Sequence, residues 1–168
     1  MRESRRATPW LVAILAAGLG LTGLALALGP QLEVGLEGKV RAAGQNDGDW
    51  QLMAEEQTVQ PGDRILYTVS LHNVGDAEAR SPLAFGPVPA GTVYLEDAAT
   101  TGPGLQVEFS IDGGQTFSLQ PMVVVTAADG SQRTVPAPMD RYTTIRWTWD
   151  ASLAAGQQQV VSYQVQVR

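Results

Sequence analysis

Cysteine is absent from the 168 residues, and lysine and histidine occur once each, as Lys39 and His72. The first absence excludes a disulfide framework and thiol chemistry. Metal sites built on histidine or cysteine lack their ligands. A hydrolytic triad would need His72 as its base, with a serine and an acid beside it. Its place on the outward face of an alternating segment brings it no such partners. Positive charge is scarce too: beyond Leu28, eight basic residues stand against sixteen acidic ones, a balance of −8. That excess repels phosphate backbones, and no basic cluster interrupts it, which argues against nucleic-acid binding. Helical periodicity of useful length is missing after residue 28.

What the chain does have is a basic flank followed by an apolar run. Arg2, Arg5 and Arg6 face a single Glu3, and residues 10–28 are nineteen in a row without charge. As a helix the run would be roughly 28 Å long, close to the ~30 Å hydrocarbon core of a bilayer. Ala25-Leu26-Ala27 has the small-x-small form that signal peptidase accepts. Residues 1–28 are therefore a signal peptide or a membrane anchor, and both outcomes stay open. In either case the arginines hold the start in the cytoplasm and send everything after Leu28 outward. A buried helix apolar on every face would need protein on every side, and the remainder offers no such socket. Arg5-Arg6 resembles a twin-arginine signal, but Ala7, Thr8 and Pro9 stand where its apolar residues belong.

From Gln31 onward, short alternating runs are separated by turn residues. Leu32, Val34 and Leu36 alternate with Glu33, Gly35 and Glu37, predicting a first strand within 32–40. Between the turns Pro61-Gly62-Asp63 and Asn73-Val74-Gly75-Asp76, the run 65–72 is the clearest strand. Further strands are expected at 50–53, 77–85 with Pro82 confining it to an edge, 92–95, 105–111, 116–119, 122–126, 132–135, 143–149 and 161–167. Asp112-Gly113-Gly114 and Asp129-Gly130 predict tight hairpins, since glycine takes the positive φ they need. The expected class is all-β, a sandwich or barrel. Its inward set is Tyr67, Val69, Leu71, Val107, Phe109, Ile145, Trp147, Val161, Tyr163 and Val165, with Trp147 at the centre. Residues 29–58 then hold the first strand and a linker region, and 59–168 the main body of the domain.

Several fragments carry a family likeness in their joint order. They are Val59, Pro61-Gly62-Asp63, Tyr67-Thr68-Val69, Asn73, Gly75, Ala79, Pro87, Pro89-Ala90-Gly91-Thr92, Ser110, Asp112-Gly113-Gly114, Thr116-Phe117, Ile145-Arg146-Trp147, Leu153 and Gly156, closed by the strand 161–167. Over 32–168 the chain thereby resembles the conserved-repeat family known as domain of unknown function eleven, found in bacterial and archaeal envelope proteins. The resemblance implies an immunoglobulin-like β-sandwich displayed on the cell surface or in the envelope, with no family-wide enzyme activity and no catalytic residues to carry over. Two departures stand out: Gly86 replaces the acidic residue often found before the proline turn, and one copy stands where the family often has several in tandem.

Few residues qualify as candidate sites. The segment 110–117 looks like the Asp-box hairpin of sialidase-type propellers, where the aspartate bonds to hairpin amides as a structural turn. One copy builds no propeller. Asp47 and Asp49, Asp63, Asp76 and Glu96-Asp97 carry oxygens that calcium could use, yet none has a recognised loop spacing, and solvated turn carboxylates are the plainer reading. Tyr142 and Trp149 could form an aromatic platform for glycans, unless Trp149 shares the inward face of Trp147. The segment 32–40 could add to a neighbour's sheet edge. The expectations are an exported structural or adhesive envelope module, not an enzyme, with no cofactor. Alternatives are a fibre subunit built by strand donation and a glycan-binding module. The expected partners are other envelope or surface proteins or further copies of itself, and the membrane through residues 10–28 if these are retained.

Overall fold

In the computed structural model, residues 29–46, 48–54 and 57–168 are described. The expected leader helix and Asp47 lie outside them. Ten strands run in chain order: β1 (Leu32–Arg41), β2 (Gln51–Leu52), β3 (Arg64–Asn73), β4 (Leu83–Pro87), β5 (Thr92–Tyr94), β6 (Leu105–Ser110), β7 (Met122–Thr126), β8 (Gln132–Pro136), β9 (Thr144–Trp149) and β10 (Gln158–Val167). The chain is mostly β-sheet, and among the described residues only a single 3-10 turn, Met139–Arg141, is helical. Pairing is antiparallel throughout. A larger sheet has the order β2-β1-β3-β10-β5, a smaller one β4-β9-β6, and β7 and β8 form a separate hairpin.

The period of two seen in the sequence explains the register. β1 and β3 pair from Leu32↔Asn73 to Arg41↔Arg64, and β10 lies on the other side of β3, with Val161 opposite Val69 and Val165 opposite Ile65. Residues directly opposite share a face, so Ile65, Val69, Leu71, Val161, Tyr163 and Val165 form one apolar surface, and all six are buried. The smaller sheet meets that surface through Ile145, Trp147 and Trp149, which alternate inward along β9. Trp147 and Tyr163 are fully buried, their rings 5.8 Å apart and tilted by 42°.

Both rings place their polar atoms on backbone. The Trp147 indole N–H donates to the Thr100 carbonyl at 3.0 Å, and the Tyr163 hydroxyl donates to the Pro87 carbonyl. Such partners are what a buried Trp or Tyr needs. Gly86 completes the contact, because a Cβ there would sit 2.5 Å from the Tyr163 ring and 2.9 Å from that of Trp147. An acidic side chain at this position would have no room.

Three expectations are corrected. The run 77–85 is not a strand: only Leu83–Pro87 is, because Ser81 takes φ 44° and Ala79 makes a lone bridge to Leu153. The return arm 116–119 reduces to one bridge, Phe109↔Ser118. Tyr67, Val107 and Phe109 pack against the core but stay partly exposed, since each lies near its margin. Asn73 and Ser110 are the polar residues that sit deepest inside. Asn73, fully buried, donates to the carbonyls of Ala77 and Leu153, both at 2.8 Å, and accepts from the amides of Gln31 and Gly75 at 3.3 and 3.2 Å. It thus ties the start of β1 to the turn after β3 and to the loop before β10.

Candidate functional site

The hairpin after β6 is organised by Asp112. Its carboxylate accepts from the amides of Gln115 and Thr116 at 3.0 and 2.9 Å, from the Thr116 hydroxyl and from the Ser110 hydroxyl. Ser110 in turn accepts from the amide of Gly114 at 2.9 Å, and Gly113 and Gly114 take φ of 77° and 87°. These hydrogen bonds, led by those from Thr116, hold the Asp112 carboxyl well below the usual carboxylate range. Four hydrogen bonds commit it to the turn. The carboxylate is held as a fixed acceptor, with no proton to exchange near neutrality.

The other acids are dispersed. Asp63, almost buried, accepts from the amides of Gln60 and Ala43 at 2.8 and 3.1 Å and so fastens the turn before β3 to the chain after β1. Asp97 takes φ 55° in the loop after β5. Among the described residues no group of three histidine, cysteine, aspartate or glutamate side chains gathers. His72 stands on the outer face of the larger sheet with Glu33 and Gln158 as its cross-strand neighbours.

Tyr142 and Trp149 are only 7% and 8% exposed. Tyr142 stacks on Tyr94 with ring centres 5.8 Å apart and meets Phe109 at 5.0 Å. The flat faces that a sugar would need are occupied by protein. Burial pushes the Tyr94 hydroxyl up to about 12, although the Ala99 amide donates to it at 3.2 Å. Tyr142 is raised by burial and, less, by the charge of Glu96.

Two features were not foreseen from the sequence. On the outer face of the smaller sheet, Arg146 is paired with Glu108, lies 4.3 Å over the Phe117 ring, and Phe117 meets Phe85 at 5.9 Å. Only the register of β6 on β9, which sets Glu108 opposite Arg146, makes that pair visible. At one end of the larger sheet, a hollow of about 430 Å³ is lined by Arg41, Gly44, Gly62, Arg64 and Gln166, and Arg41 lies 4.8 Å over the Trp50 ring. The remaining sequence candidate, the first strand, pairs with β3 of its own molecule at every position from 32 to 41. No family model, curated protein or solved structure matches the chain.

Proposed function

We propose that the chain is an exported, non-catalytic module of the cell envelope with a structural or adhesive role, folded as a two-layer β-sandwich of the immunoglobulin-like kind. What supports the non-catalytic reading is where the best-held polar side chains spend their hydrogen bonds, which is on the turns. Catalytic sites keep polar groups poised for a substrate, whereas here Asn73, Asp63, Ser110 and Asp112 are each committed to a turn. The basic-then-apolar order of residues 1–28 supports export. The resemblance to the envelope repeat family points the same way, and its turn residues coincide with the turns that flank β3 and close the β6 hairpin.

The sandwich has its own strand order. In the immunoglobulin constant arrangement the last strand lies at the edge of the smaller sheet. Here β10 lies inside the larger sheet, between β3 and β5. The likeness is therefore one of layers and packing, with a different path of the chain. β1, paired along its full length within the molecule, is an ordinary first strand, which favours a stable single domain over a donated one.

Protease treatment of intact cells of the native host, followed by fractionation and N-terminal sequencing, tests the proposal. The expected result is a protein in the envelope or medium that protease reaches without lysis. A new end near Leu28 would mean release, and an intact Met1 or Arg2 anchoring. A chain found only in the cytosol and protected until lysis would overturn it.

A further inference from the structure

The outer edge of β1 is paired at one end only. β2 covers Lys39 and Val40 and no more, and the Gly38 carbonyl accepts the Met53 amide at 2.9 Å. At the other end Pro30 has no N–H to offer. Between these limits, residues 31–37 have no strand on that side among the described residues. Backbone direction alternates along an antiparallel strand. The Gln31 carbonyl accepts from Val74 on the β3 side, while that of Gly38 points to the β2 side. Leu32, Val34 and Leu36 therefore turn their N–H and C=O groups to the open edge.

The same three residues lie on the inner face of the sheet, opposite Asn73, Leu71 and Val69. Yet they are 39%, 62% and 52% exposed. Here an apolar row and an open ladder coincide. Proteins usually guard such edges with lysine, proline or a bulge, as β4 is guarded by Pro82 and Pro87. The inner row of β1 has no guard.

We propose that residues 31–37 form a self-association surface, which pairs antiparallel with the same edge of a second copy about a two-fold axis through Val34. Val34 is the midpoint of the open window. An isologous contact needs a self-complementary strand, and this register supplies one. Leu32 meets Leu36 of the second copy, Val34 meets Val34, and each such pair exchanges two backbone hydrogen bonds. Glu33 falls opposite Gly35 and Glu37 opposite Gln31, so no carboxylate directly faces another. Moving the axis to Gly35 would set Glu33 against Glu37, and moving it to Glu33 would set that residue against itself, both unfavourable. Charge thus selects the second copy's register, and joining the two larger sheets sets the two apolar rows side by side, where each shields part of the other.

The absence of native cysteine makes the register directly readable by cross-linking in the full chain. In the proposed pair the two Val34 Cα atoms are about 5.5 Å apart, within the roughly 4.4 to 6.8 Å that a disulfide spans. The two Leu36 Cα atoms are four residues out of step, roughly 13 Å along the strands. Val34→Cys should therefore give a disulfide dimer on a non-reducing gel about tenfold more readily than Leu36→Cys, and a Leu32→Cys/Leu36→Cys double variant should restore cross-linking. Both single sites are exposed, so folding is not at stake, and association driven by residues 10–28 would act on every variant alike. Equal cross-linking at positions 34 and 36, or none at 34, would overturn the proposal.

Discussion

Replacing Asn73 by aspartate changes one atom group and tests how the buried polar tie is held. The oxygen that accepts from Gln31 and Gly75 is retained, whereas the nitrogen that donates to Ala77 and Leu153 at 2.8 Å becomes a second oxygen facing two carbonyls. Two hydrogen bonds worth about 1 kcal/mol each are lost. A buried carboxylate whose second oxygen faces two carbonyls adds to that loss, and the total expected for Asn73→Asp at neutral pH is about 3 to 5 kcal/mol. Against a domain stability of about 5 to 15 kcal/mol, this is a large fraction. The introduced acid has its pKa raised in the folded state, so the folded form binds more protons than the unfolded one and stability falls as pH rises above the unfolded value near 4. Asn73→Asp should thus recover part of its stability on acidification, while Asn73→Ala, which only removes contacts, should show no added pH dependence relative to wild type. Urea unfolding followed by tryptophan fluorescence at several pH values measures both. A neutral-pH loss below about 1 kcal/mol, or the same loss for Asn73→Asp at pH 4 and pH 7, would refute the reasoning.

Trp147→Ala empties the contact between the sheets and should cost about 3 to 5 kcal/mol; an unchanged melting temperature would show that the core is centred elsewhere. Gly86→Ala forces a methyl group against the Tyr163 and Trp147 rings, with an expected loss of about 1 to 3 kcal/mol from overpacking. Calorimetric scans in which Gly86→Ala matched wild type would show that the rings yield without strain. For Asp112 the carboxylate is the favoured form in the hairpin. Its contribution is complete above the unfolded value near 4 and is lost as pH falls below it toward the lowered folded value. Protection of the Gln115 and Thr116 amides, read as the exchange rate relative to an unstructured amide at the same pH, should hold down to about pH 4 and fall below it, whereas in Asp112→Ala exchange should be fast at every pH on that scale with the melting temperature of the domain little moved. Slow exchange in that variant would assign the hairpin's order to its glycines alone.

Much of the fold was legible because it rests on local rules. The run 65–72 is flanked by turns at both ends, and it is central in the larger sheet with β1 and β10 on either side. Asp129-Gly130 between two β-branched runs likewise gave the β7–β8 hairpin. The run 77–85 misled because its residues suit a strand one by one, while Ser81 adopts a positive φ that no propensity announces. Asn73 was visible only as a turn residue. Its four hydrogen bonds join segments up to 80 positions apart, and nothing in the local pattern reports such a distance.

The first strand shows a deeper limit. Leu32, Val34 and Leu36 alternate just as Val161, Tyr163 and Val165 do, and alternation predicts burial for both sets. Only the second set is buried. The difference is what packs against each row: β9 meets β10 through Trp147 and Tyr163, and β6 meets β5 through Phe109 and Tyr94. The margin beyond β3 is left without a cover, so a row patterned for the interior meets solvent. Alternation records that a strand has an apolar face, but it does not say which elements cover that face. An uncovered row on an open edge is thus where the interior pattern of this chain outruns what packs against it.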